Sequence, residues 1–260
     1  MRHLFTLSLI LSLLTIAACS SEQAEQAATA DQATIDSLPS LQAELDAKKV
    51  AFEQASPAER VALFEKGVTD VAESGVLESA LQVGDLAPDF TLPAASGDSV
   101  TLSKLLMDGP VILTWYRGGW CPYCNIQLQA LNAAMPQVSA AGGQIIAISP
   151  EIPDSSLSTA NESALGFPVV SDVGNEVARD YGIVYVLPTD IQDAFAGRLD
   201  IPAYNADSSM TLPLAVTYII DTDRLIKYAC VDPDYRKRAE PAALVAFLRQ
   251  LQAGNSGTAQ

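Results

Sequence analysis

Histidine is almost missing from this sequence: the only one among 260 residues is His3. His3 lies in an N-terminal segment that has the pattern of a cleaved signal, so the mature chain is expected to hold no Cys-His pair of the protease or transferase kind. Glycine-rich phosphate loops are missing too, and nothing indicates ATP or a dinucleotide. With only four cysteines, a zinc site is disfavoured. The sequence therefore predicts no cofactor and no metal.

Positive charge is also scarce. Lys and Arg total 15 against 31 Asp and Glu, which gives a formal net charge of −16. Such a field disfavours nucleic acid and other anionic partners, whereas a small neutral substrate is indifferent to it. The one basic cluster is Tyr235-Arg236-Lys237-Arg238, close to Asp232 and Asp234. We predict a solvated face for this cluster.

The N-terminal segment contains an apolar run that ends at Ile16, too short to span a bilayer and preceded by Arg2. This pattern predicts a signal peptide over residues 1–18. The run Ile16-Ala17-Ala18-Cys19-Ser20 resembles the bacterial lipobox, which implies that Cys19 is lipidated. Serine after that cysteine favours the outer membrane, facing the periplasm, with the lipid as the only membrane contact. The alternative is an ordinary signal peptide with a chance cysteine.

The remaining chain divides by composition. Residues 19–40 have few large apolar side chains and are predicted to form a flexible tether. Residues 41–82 show helical periodicity, divided at Ser56-Pro57. This extension is expected to pack on the main domain, with partner binding or dimerisation as the alternative. The main domain is predicted over 83–253, and residues 254–260 form a disordered tail.

The stretch from Val111 to Leu131 organises the main domain. An apolar run rich in β-branched and aromatic residues reaches Tyr116 and predicts a buried strand, which Gly118-Gly119 ends. After Cys121-Pro122-Tyr123-Cys124 the apolar residues recur at helical spacing. Cys121 is therefore expected at a helix N-terminus, where free amides and the helix dipole favour a thiolate. Arg117 is expected to stabilise that anion further.

A Cys-x-x-Cys pair at a strand-to-helix junction is typical of redox chemistry, because a thiolate is the attacking species and a second thiol can close onto it. A purely structural disulfide and half of a zinc site are the alternatives. Cys230 is predicted to be a buried structural thiol, with a resolving or intermolecular role as its alternative.

Strands and helices alternate around this junction. A buried strand at 144–149 follows the helix, so right-handed parallel pairing is expected. A helix at 154–163, a strand at 167–170 and a helix at 173–181 continue the pattern. Residues 182–209 are predicted to form an ordered insertion that can cover the active site. An antiparallel hairpin (214–221 and 225–231) and a helix (241–251) close the domain. The fold class is α/β: a thioredoxin-like fold, with a central mixed sheet flanked by helices and an N-terminal helical extension.

From about Leu41 to Leu251 the chain resembles the peroxiredoxin-like branch of the AhpC/TSA (alkyl hydroperoxide reductase/thiol-specific antioxidant) family. The runs that carry this resemblance are VGDLAPDFTLP, GPVILTWYRGGWCPYCNIQLQAL, SDVGNEVARDYGIVYVLP and LPLAVTYIIDTDRLIKYACVDPDYRKRAEP. RGGWCPYC and VDPDY are the most specific parts.

The resemblance implies a thiol peroxidase in which Cys121 is peroxidatic, Cys124 is resolving and Arg117 holds the thiolate. A sulfenic acid on Cys121 would condense with Cys124 to a disulfide, which a thioredoxin-type protein would reduce. The family pattern places a proline seven residues and a hydroxyl residue three residues before the reactive cysteine. Here those positions are Thr114 and Gly118.

The first functional expectation is therefore a peroxidase for hydrogen peroxide or alkyl hydroperoxides. A thiol-disulfide oxidoreductase acting on envelope proteins is the alternative. Oxidoreductases of that kind usually carry a cis-proline where this chain has Ala215, two residues after Pro213. A non-catalytic binding module of the same fold is the third reading.

Overall fold

The computed structural model describes residues 37–256. Contacts divide the chain into two units, Met1–Pro39 and Ser40–Gln260. The predicted signal peptide, the lipidation site Cys19 and almost all of the tether lie outside the described residues, and so does most of the predicted tail. The prediction of a disordered tail is wrong for residues 254–256, which continue the last helix. The second unit contains every helix and strand discussed below. None of its described helices is long and apolar enough to cross a membrane.

Helices and strands alternate along this unit. In chain order they are α1 (Leu41–Ala55), α2 (Ala58–Ala72), α3 (Val76–Ser79), β1 (Thr91–Pro93), β2 (Ser99–Thr101), α4 (Leu102–Leu105), β3 (Val111–Trp115), α5 (Pro122–Ala133), α6 (Met135–Ala140), β4 (Gln144–Ser149), α7 (Pro153–Glu162), β5 (Val169–Ser171), α8 (Glu176–Asp180), β6 (Val184–Val186), α9 (Thr189–Phe195), α10 (Ile201–Asn205), β7 (Thr211–Pro213), β8 (Thr217–Ile220), β9 (Ile226–Cys230) and α11 (Pro241–Ser256).

The central sheet has five strands in the order β5-β4-β3-β8-β9. Strands β3, β4 and β5 run parallel, joined through helices, while β8 and β9 form an antiparallel hairpin on the other side of β3. This arrangement confirms the mixed sheet that the sequence predicts. The parallel crossovers bring the carboxyl ends of β3 and β4 to one edge, where the Cys-x-x-Cys segment begins.

The middle strand β3 is buried along its whole length, as its unbroken apolar run predicts. Its last residue, Trp115, packs against Tyr181 and Tyr218, with ring centroids 4.7 and 6.2 Å away. Both tyrosine hydroxyls are satisfied by backbone carbonyls, those of Pro88 and Leu81. Rigid aromatic packing on this side of the sheet fixes the end of β3 and hence the start of the next turn.

The N-terminal extension forms two helices, α1 and α2, separated at Ser56-Pro57 as predicted; they are called the helical pair below. Leu41 and Leu45 of α1 are fully buried, so the pair packs on the main domain. The first free amides of α1, those of Leu41 and Gln42, donate to the carboxylate of Glu240, each at 2.9 Å. A carboxylate at this positive helix end ties the extension to the segment before α11.

The insertion at 182–209 is ordered. Strand β6 near its start pairs antiparallel with β7, which follows its end, and α9 and α10 lie between the two strands. Helix α9 packs closely against α2 at Gly67. A Cβ added to Gly67 would lie only 2.8 Å from the side chain of Ile191, so the missing side chain makes room for this isoleucine. The helical pair and the insertion therefore meet on the same side of the molecule.

Candidate active site

The turn between β3 and α5 holds the predicted Gly-Gly break. Gly118 has φ +146°, and a Cβ there would lie 2.2 Å from Nε1 of Trp120, so no other residue fits without a rearrangement. The amide of Gly119 donates to Oε1 of the buried Glu151 at 3.0 Å. This turn therefore has one defined shape, and it sets the position of the residues that follow.

Helix α5 begins at Pro122, so Cys121 is its N-cap residue. The carbonyl of Cys121 accepts from the amides of Cys124 and Asn125, at 3.0 and 3.1 Å. Proline suits the first helical position because its missing N–H would have no helical partner there. The predicted junction of strand and helix at the two cysteines is confirmed.

The two thiols are buried: Cys121 is 1% exposed and Cys124 is fully enclosed. Each thiol shifts the pKa of the other. The sequence favours a thiolate on Cys121. In the structure, burial raises the pKa of Cys121, and the hydrogen bond and charge of Cys124 raise it further. Burial opposes ionisation of Cys124 as well, but its hydrogen bond from Cys121 and the charges of Arg238 and Arg117 bring the pKa of Cys124 below its ordinary value.

Arg117 is buried, and its guanidinium lies between two aromatic rings. Its Cζ is 5.0 Å from the centroid of Trp120 and 4.4 Å from that of Tyr235. Rings in this arrangement stabilise a cation without neutralising it. The positive charge of Arg117 lowers the pKa of both thiols. The structure therefore places Arg117 where the sequence predicts it, beside the cysteine pair.

Arg238 is the second cation at the pair. Its Nη2 donates to Sγ of Cys124 at 3.5 Å, and its Nη1 donates to Oε1 of Gln127 at 2.9 Å. Gln127 is held in turn by its own Nε2, which donates to Thr114 and Thr217 at 3.1 and 3.3 Å. A chain of neutral hydrogen bonds thus orients the guanidinium toward the sulfur.

The prediction that residues 235–238 form a solvated face is wrong for both arginines. Arg236 and Arg238 are at most 6% exposed, and only Lys237 points to solvent. Side chains alternate along this segment, so Arg236 and Arg238 point inward and Lys237 points outward. Counting the charges in the sequence does not reveal this burial. Arg238 therefore lies beside the cysteine pair, where the sequence does not predict it.

Arg236 has a different set of partners. Its guanidinium forms a two-pronged ion pair with Glu65 of α2, with Nη2 3.0 Å from Oε2. It also binds Asp234, with Nε 2.7 Å from Oδ1. Arg236 therefore links the helical pair to the loop after β9. Neither Arg117 nor Arg238 forms an ion pair with a carboxylate of residues 37–256.

A cavity of about 170 Å³ opens beside Cys121. Most of its wall is aromatic or aliphatic, and it is contributed by the helical pair, the Cys-x-x-Cys segment, the insertion and the loop after β9: Phe52, Phe64, Arg117, Trp120, Cys121, Pro122, Tyr123, Phe195, Leu199, Tyr235 and Arg236. Phe195 and Leu199 show that the insertion does cover this site. Cys124 does not line the cavity and lies behind Cys121.

The other predicted positions are placed as follows. Thr114 is buried on β3, and its hydroxyl lies 2.9 Å from that of Thr217. Ala215 accepts from Nη1 of Arg238 through its carbonyl, at 3.5 Å, and its peptide bond is trans. Cys230 is half-buried on β9, opposite Thr217; it does not line the cavity, and burial raises its pKa. No cluster of metal-ligating side chains occurs among the described residues.

Two neighbouring buried thiols with two buried cations beside them can form a thiolate and then a disulfide. A central mixed sheet that presents Cys-x-x-Cys at the end of its middle strand defines a thioredoxin-like thiol protein. Residues 83–229, which are more than half of the chain, match the AhpC/TSA family. The chain belongs to the AhpC/TSA family.

Curated relatives fit this assignment. The chain is 28% identical to "Peroxiredoxin Q, chloroplastic" of Triticum aestivum over 173 residues, which cover 66% of this chain and 70% of the relative. It is 29% identical to "Peroxiredoxin Bcp" of Escherichia coli (strain K12) over 103 residues, which cover 40% of this chain and 65% of the relative. For several other relatives the matched part is about half of their length.

Solved structures show the same fold. Peroxidoxin BcpB from Mycobacterium tuberculosis superposes with a TM-score of 0.53 at 23% identity, over 66% of this chain and 98% of that one. A PrxQ mutant from Xylella fastidiosa superposes with a TM-score of 0.52 at 17% identity, over 67% of this chain and 99% of that one. The thioredoxin-like fold predicted from the sequence is confirmed.

Proposed function

We propose that this protein is a thiol-dependent peroxidase that reduces hydrogen peroxide or alkyl hydroperoxides. The observation that carries the proposal is a buried pair of thiols beside two guanidiniums that have no carboxylate partner among residues 37–256, with Cys121 at the wall of a small cavity. Membership of the AhpC/TSA family and the names of the relatives support the same activity.

In the proposed reaction, Cys121 attacks the terminal peroxide oxygen and becomes a sulfenic acid, releasing water or an alcohol. Cys124 then attacks the sulfur of Cys121, and a second oxygen leaves as water. The product is a Cys121–Cys124 disulfide. Because Cys121 is the N-cap of α5 and Cys124 lies in its first turn, the second step needs little movement of the chain.

The alternative, thiol-disulfide exchange with envelope proteins, is supported less well. Such exchange needs a protein disulfide to reach the attacking sulfur, but Cys121 is 1% exposed beneath aromatic side chains of the helical pair and the insertion. A small peroxide can enter a cavity of about 170 Å³ without displacing those elements. Burial therefore favours a small peroxide over a protein disulfide as the oxidant of the closed form, and a protein partner of either kind needs these elements to open.

The decisive experiment measures how fast the reduced protein consumes hydrogen peroxide and an alkyl hydroperoxide. We expect consumption to be lost in Cys121→Ser and to stop after one turnover in Cys124→Ser, with a sulfenic acid trapped on Cys121. Cys230→Ser serves as the matched control and should keep full activity. Consumption no faster than that of a free thiol, together with rapid exchange with a protein disulfide, would select the oxidoreductase instead.

For the return of electrons we propose a thioredoxin-type protein as the donor. The buried position of Cys121 implies that the helical pair or the insertion must move before a protein donor can reach the disulfide. The test compares the rate of peroxide turnover when thioredoxin and its reductase supply the electrons with the rate when glutathione supplies them at equal reducing power. Equal or faster turnover with glutathione would replace the protein donor by a small thiol.

We also propose that the chain is a lipoprotein of the bacterial cell envelope, anchored through Cys19 and exposed to the periplasm from the outer membrane. The sequence around Cys19 supports this location. Metabolic labelling with a tagged fatty acid, followed by separation of the two membranes, tests it. Labelling that persists in Cys19→Ala, or a parent protein that takes up no label, would exclude the anchor.

A further inference from the structure

The cavity beside Cys121 is bordered by aromatic rings that contact one another. Phe52 packs edge-on against Phe64, with ring centroids 5.4 Å apart. Phe64 in turn contacts Phe195 at 5.9 Å, and Phe195 contacts Trp120 at 6.0 Å. These four residues, called the aromatic wall below, all line the cavity. Because edge-on ring contacts stabilise one arrangement of the rings, the aromatic wall gives the cavity a defined shape.

The reacting sulfur and an unpaired cation border the same cavity. Two guanidiniums line it together with Cys121, those of Arg117 and Arg236. Arg236 is bound by Glu65 and Asp234. Arg117 has no carboxylate partner within residues 37–256, and its buried Nε has no hydrogen-bond partner there. A peroxide oxygen can accept a hydrogen bond from this guanidinium next to the sulfur, which leaves the aromatic wall to the hydrocarbon part of a substrate.

The volume of the cavity limits the hydrocarbon group that it can enclose. The cavity measures about 170 Å³, and an apolar cavity of about 150 Å³ takes up benzene in another protein. One ring or a branched group of similar size therefore fits, whereas a long alkyl chain is too large. Hydrogen peroxide also fits, but it has no apolar surface, and burial of apolar surface is what stabilises a bound hydrocarbon.

Half of the aromatic wall lies outside the part of the chain that matches the family. Phe52 and Phe64 belong to the helical pair, which precedes the matched residues 83–229. Phe195 belongs to the insertion, and Trp120 precedes the first cysteine of the pair. The family match therefore does not determine which hydrocarbon group this cavity accepts, and the side chains of the helical pair do.

We propose that the aromatic wall selects organic hydroperoxides with a compact apolar group, an aryl ring or a branched alkyl group, over hydrogen peroxide and over long-chain hydroperoxides. Phe52 and Phe64 are the specificity-determining residues. This inference rests on the proposed peroxidase function. The sulfur of Cys121 takes the terminal oxygen, the O–O bond breaks, and the alkoxide leaves as the alcohol with the thiol proton. The sulfur loses two electrons and the peroxide gains two.

The specificity constant kcat/KM for three hydroperoxides tests the selection. Cumene hydroperoxide carries the compact aryl group, and hydrogen peroxide and dodecyl hydroperoxide are its competitors. Each constant is divided by the rate at which a free thiol reduces the same peroxide. We expect cumene hydroperoxide to exceed both competitors roughly tenfold or more, since one methylene in an apolar pocket already discriminates by about 10–200-fold. Equal corrected constants would overturn the proposal.

Phe64→Ala tests the aromatic wall itself. We expect kcat/KM for cumene hydroperoxide to fall roughly tenfold further than kcat/KM for hydrogen peroxide, because the lost ring packs against the hydrocarbon and not against the peroxide oxygens. Phe247→Ala is the matched control: Phe247 is another half-buried phenylalanine, it packs on Tyr228, and it does not line the cavity. The control should keep the ratio of the two constants. An equal fall for both peroxides in Phe64→Ala, or an unchanged ratio, would overturn the proposal.

A second variant leaves the helical pair intact. Leu199 lines the cavity from the insertion, and Leu199→Trp fills part of the space without removing a contact of α1 or α2. We expect this variant to lose cumene hydroperoxide roughly tenfold more than hydrogen peroxide, because the smaller peroxide still reaches Cys121. A variant that kept the parent ratio would contradict the location of the hydrocarbon group.

Binding of the product alcohol separates this proposal from the proposed function. The alcohol formed from cumene hydroperoxide is 2-phenyl-2-propanol, and NMR of the Trp120 indole reports its binding without any peroxide. We expect a saturable shift in the parent and a weaker one in Leu199→Trp. Peroxide consumption without this binding would overturn the aromatic wall as a substrate site and leave the peroxidase intact. Binding in a parent that consumes no peroxide would overturn the peroxidase and still support a site for compact apolar groups.

Discussion

Arg236 and Arg238 are two residues apart and equally buried, but they are neutralised differently. Arg236 binds two carboxylates, those of Glu65 and Asp234. Arg238 binds the amide oxygen of Gln127, a backbone carbonyl and the sulfur of Cys124. Within the described part of the chain, one guanidinium is therefore neutralised by fixed acids, and the other has a thiol as its only partner that can become an anion.

This difference in partners indicates a structural role for Arg236 and a chemical role for Arg238. A buried cation that is satisfied by carboxylates fastens two parts of the chain and has no charge left to share. A cation held by neutral acceptors keeps its field, and that field lowers the pKa of the nearest thiol. The comparison predicts that equal substitutions at the two arginines have unequal effects on catalysis.

The largest expected effect is that of Arg238→Met. An opposite charge within a few ångströms typically lowers a pKa by 1–3 units, and the charge of Arg238 lowers the pKa of both thiols. Its removal should therefore reduce the thiolate fraction and lower peroxide consumption at neutral pH roughly a hundredfold. The measurement is the pH profile of the consumption rate, together with a titration of the thiolate absorbance. We expect the profile to shift to higher pH, a shift that a loss of packing alone would not produce.

Two controls accompany this variant. Arg238→Lys keeps the charge but loses the planar guanidinium. It should therefore have a consumption rate between those of Arg238→Met and the parent, with a pH profile close to that of the parent. Arg198→Met makes the same change at an exposed arginine and should leave both unaltered. A flat, unshifted profile in Arg238→Met would contradict the role given to this side chain.

The sequence predicts much of this site and misses its inner cation for a physical reason. Strand β3, the Gly118 break and the N-cap position of Cys121 follow from local patterns, because an apolar run, glycine and Pro122 each restrict the backbone where they stand. Arg238 and Cys124 are 114 positions apart in the sequence. Its burial depends on how the loop after β9 packs, and a basic residue among acidic neighbours gives no local sign of that.

The same limit applies to the helical pair. Its periodicity predicts two helices that pack on the main domain, and the structure confirms both. The pattern does not show that Phe52 and Phe64 reach the cavity beside Cys121, because only the tertiary contacts, among them the Arg236–Glu65 ion pair, decide which face of the domain the helices cover.

Arg236→Met should have the second largest effect, and on stability more than on chemistry. The variant loses the hydrogen bonds to two carboxylates, each normally worth up to a few kcal/mol when charged. Since the Glu65 side chain is 42% exposed, solvent screening reduces its share, and we expect a loss of about 2 kcal/mol in the free energy of unfolding. Urea denaturation measures this loss.

The loosened helical pair gives this variant a second measurable effect. Alkylation of Cys121 by a bulky maleimide should become faster, because Phe52 and Phe64 no longer cover it as firmly. A shift of the peroxidase pH profile equal to that of Arg238→Met would abolish the distinction between the two arginines.

Glu65→Gln should have the smallest effect, and it tests whether Arg236 really shares its charge between two acids. The hydrogen bond from Arg236 is the main cause that holds the pKa of Glu65 below its ordinary value, with burial acting against it. A depressed carboxyl pKa contributes stability above the unfolded pKa, and that contribution is lost as the pH falls through the folded pKa. The parent should therefore lose this part of its stability in acid, whereas Glu65→Gln, which cannot ionise, should not.

Asp234 remains bound to Arg236 in that variant, so the loss at neutral pH should stay below about 1 kcal/mol. Unfolding by urea at neutral pH and again in mild acid measures both terms, and the gap between parent and variant should narrow in acid. If Glu65→Gln cost as much as Arg236→Met, Asp234 would contribute nothing, and Arg236 would have one acid where the comparison requires two. The contrast with Arg238 would then depend on Glu65 alone, and the helical pair would provide all of the charge that neutralises Arg236.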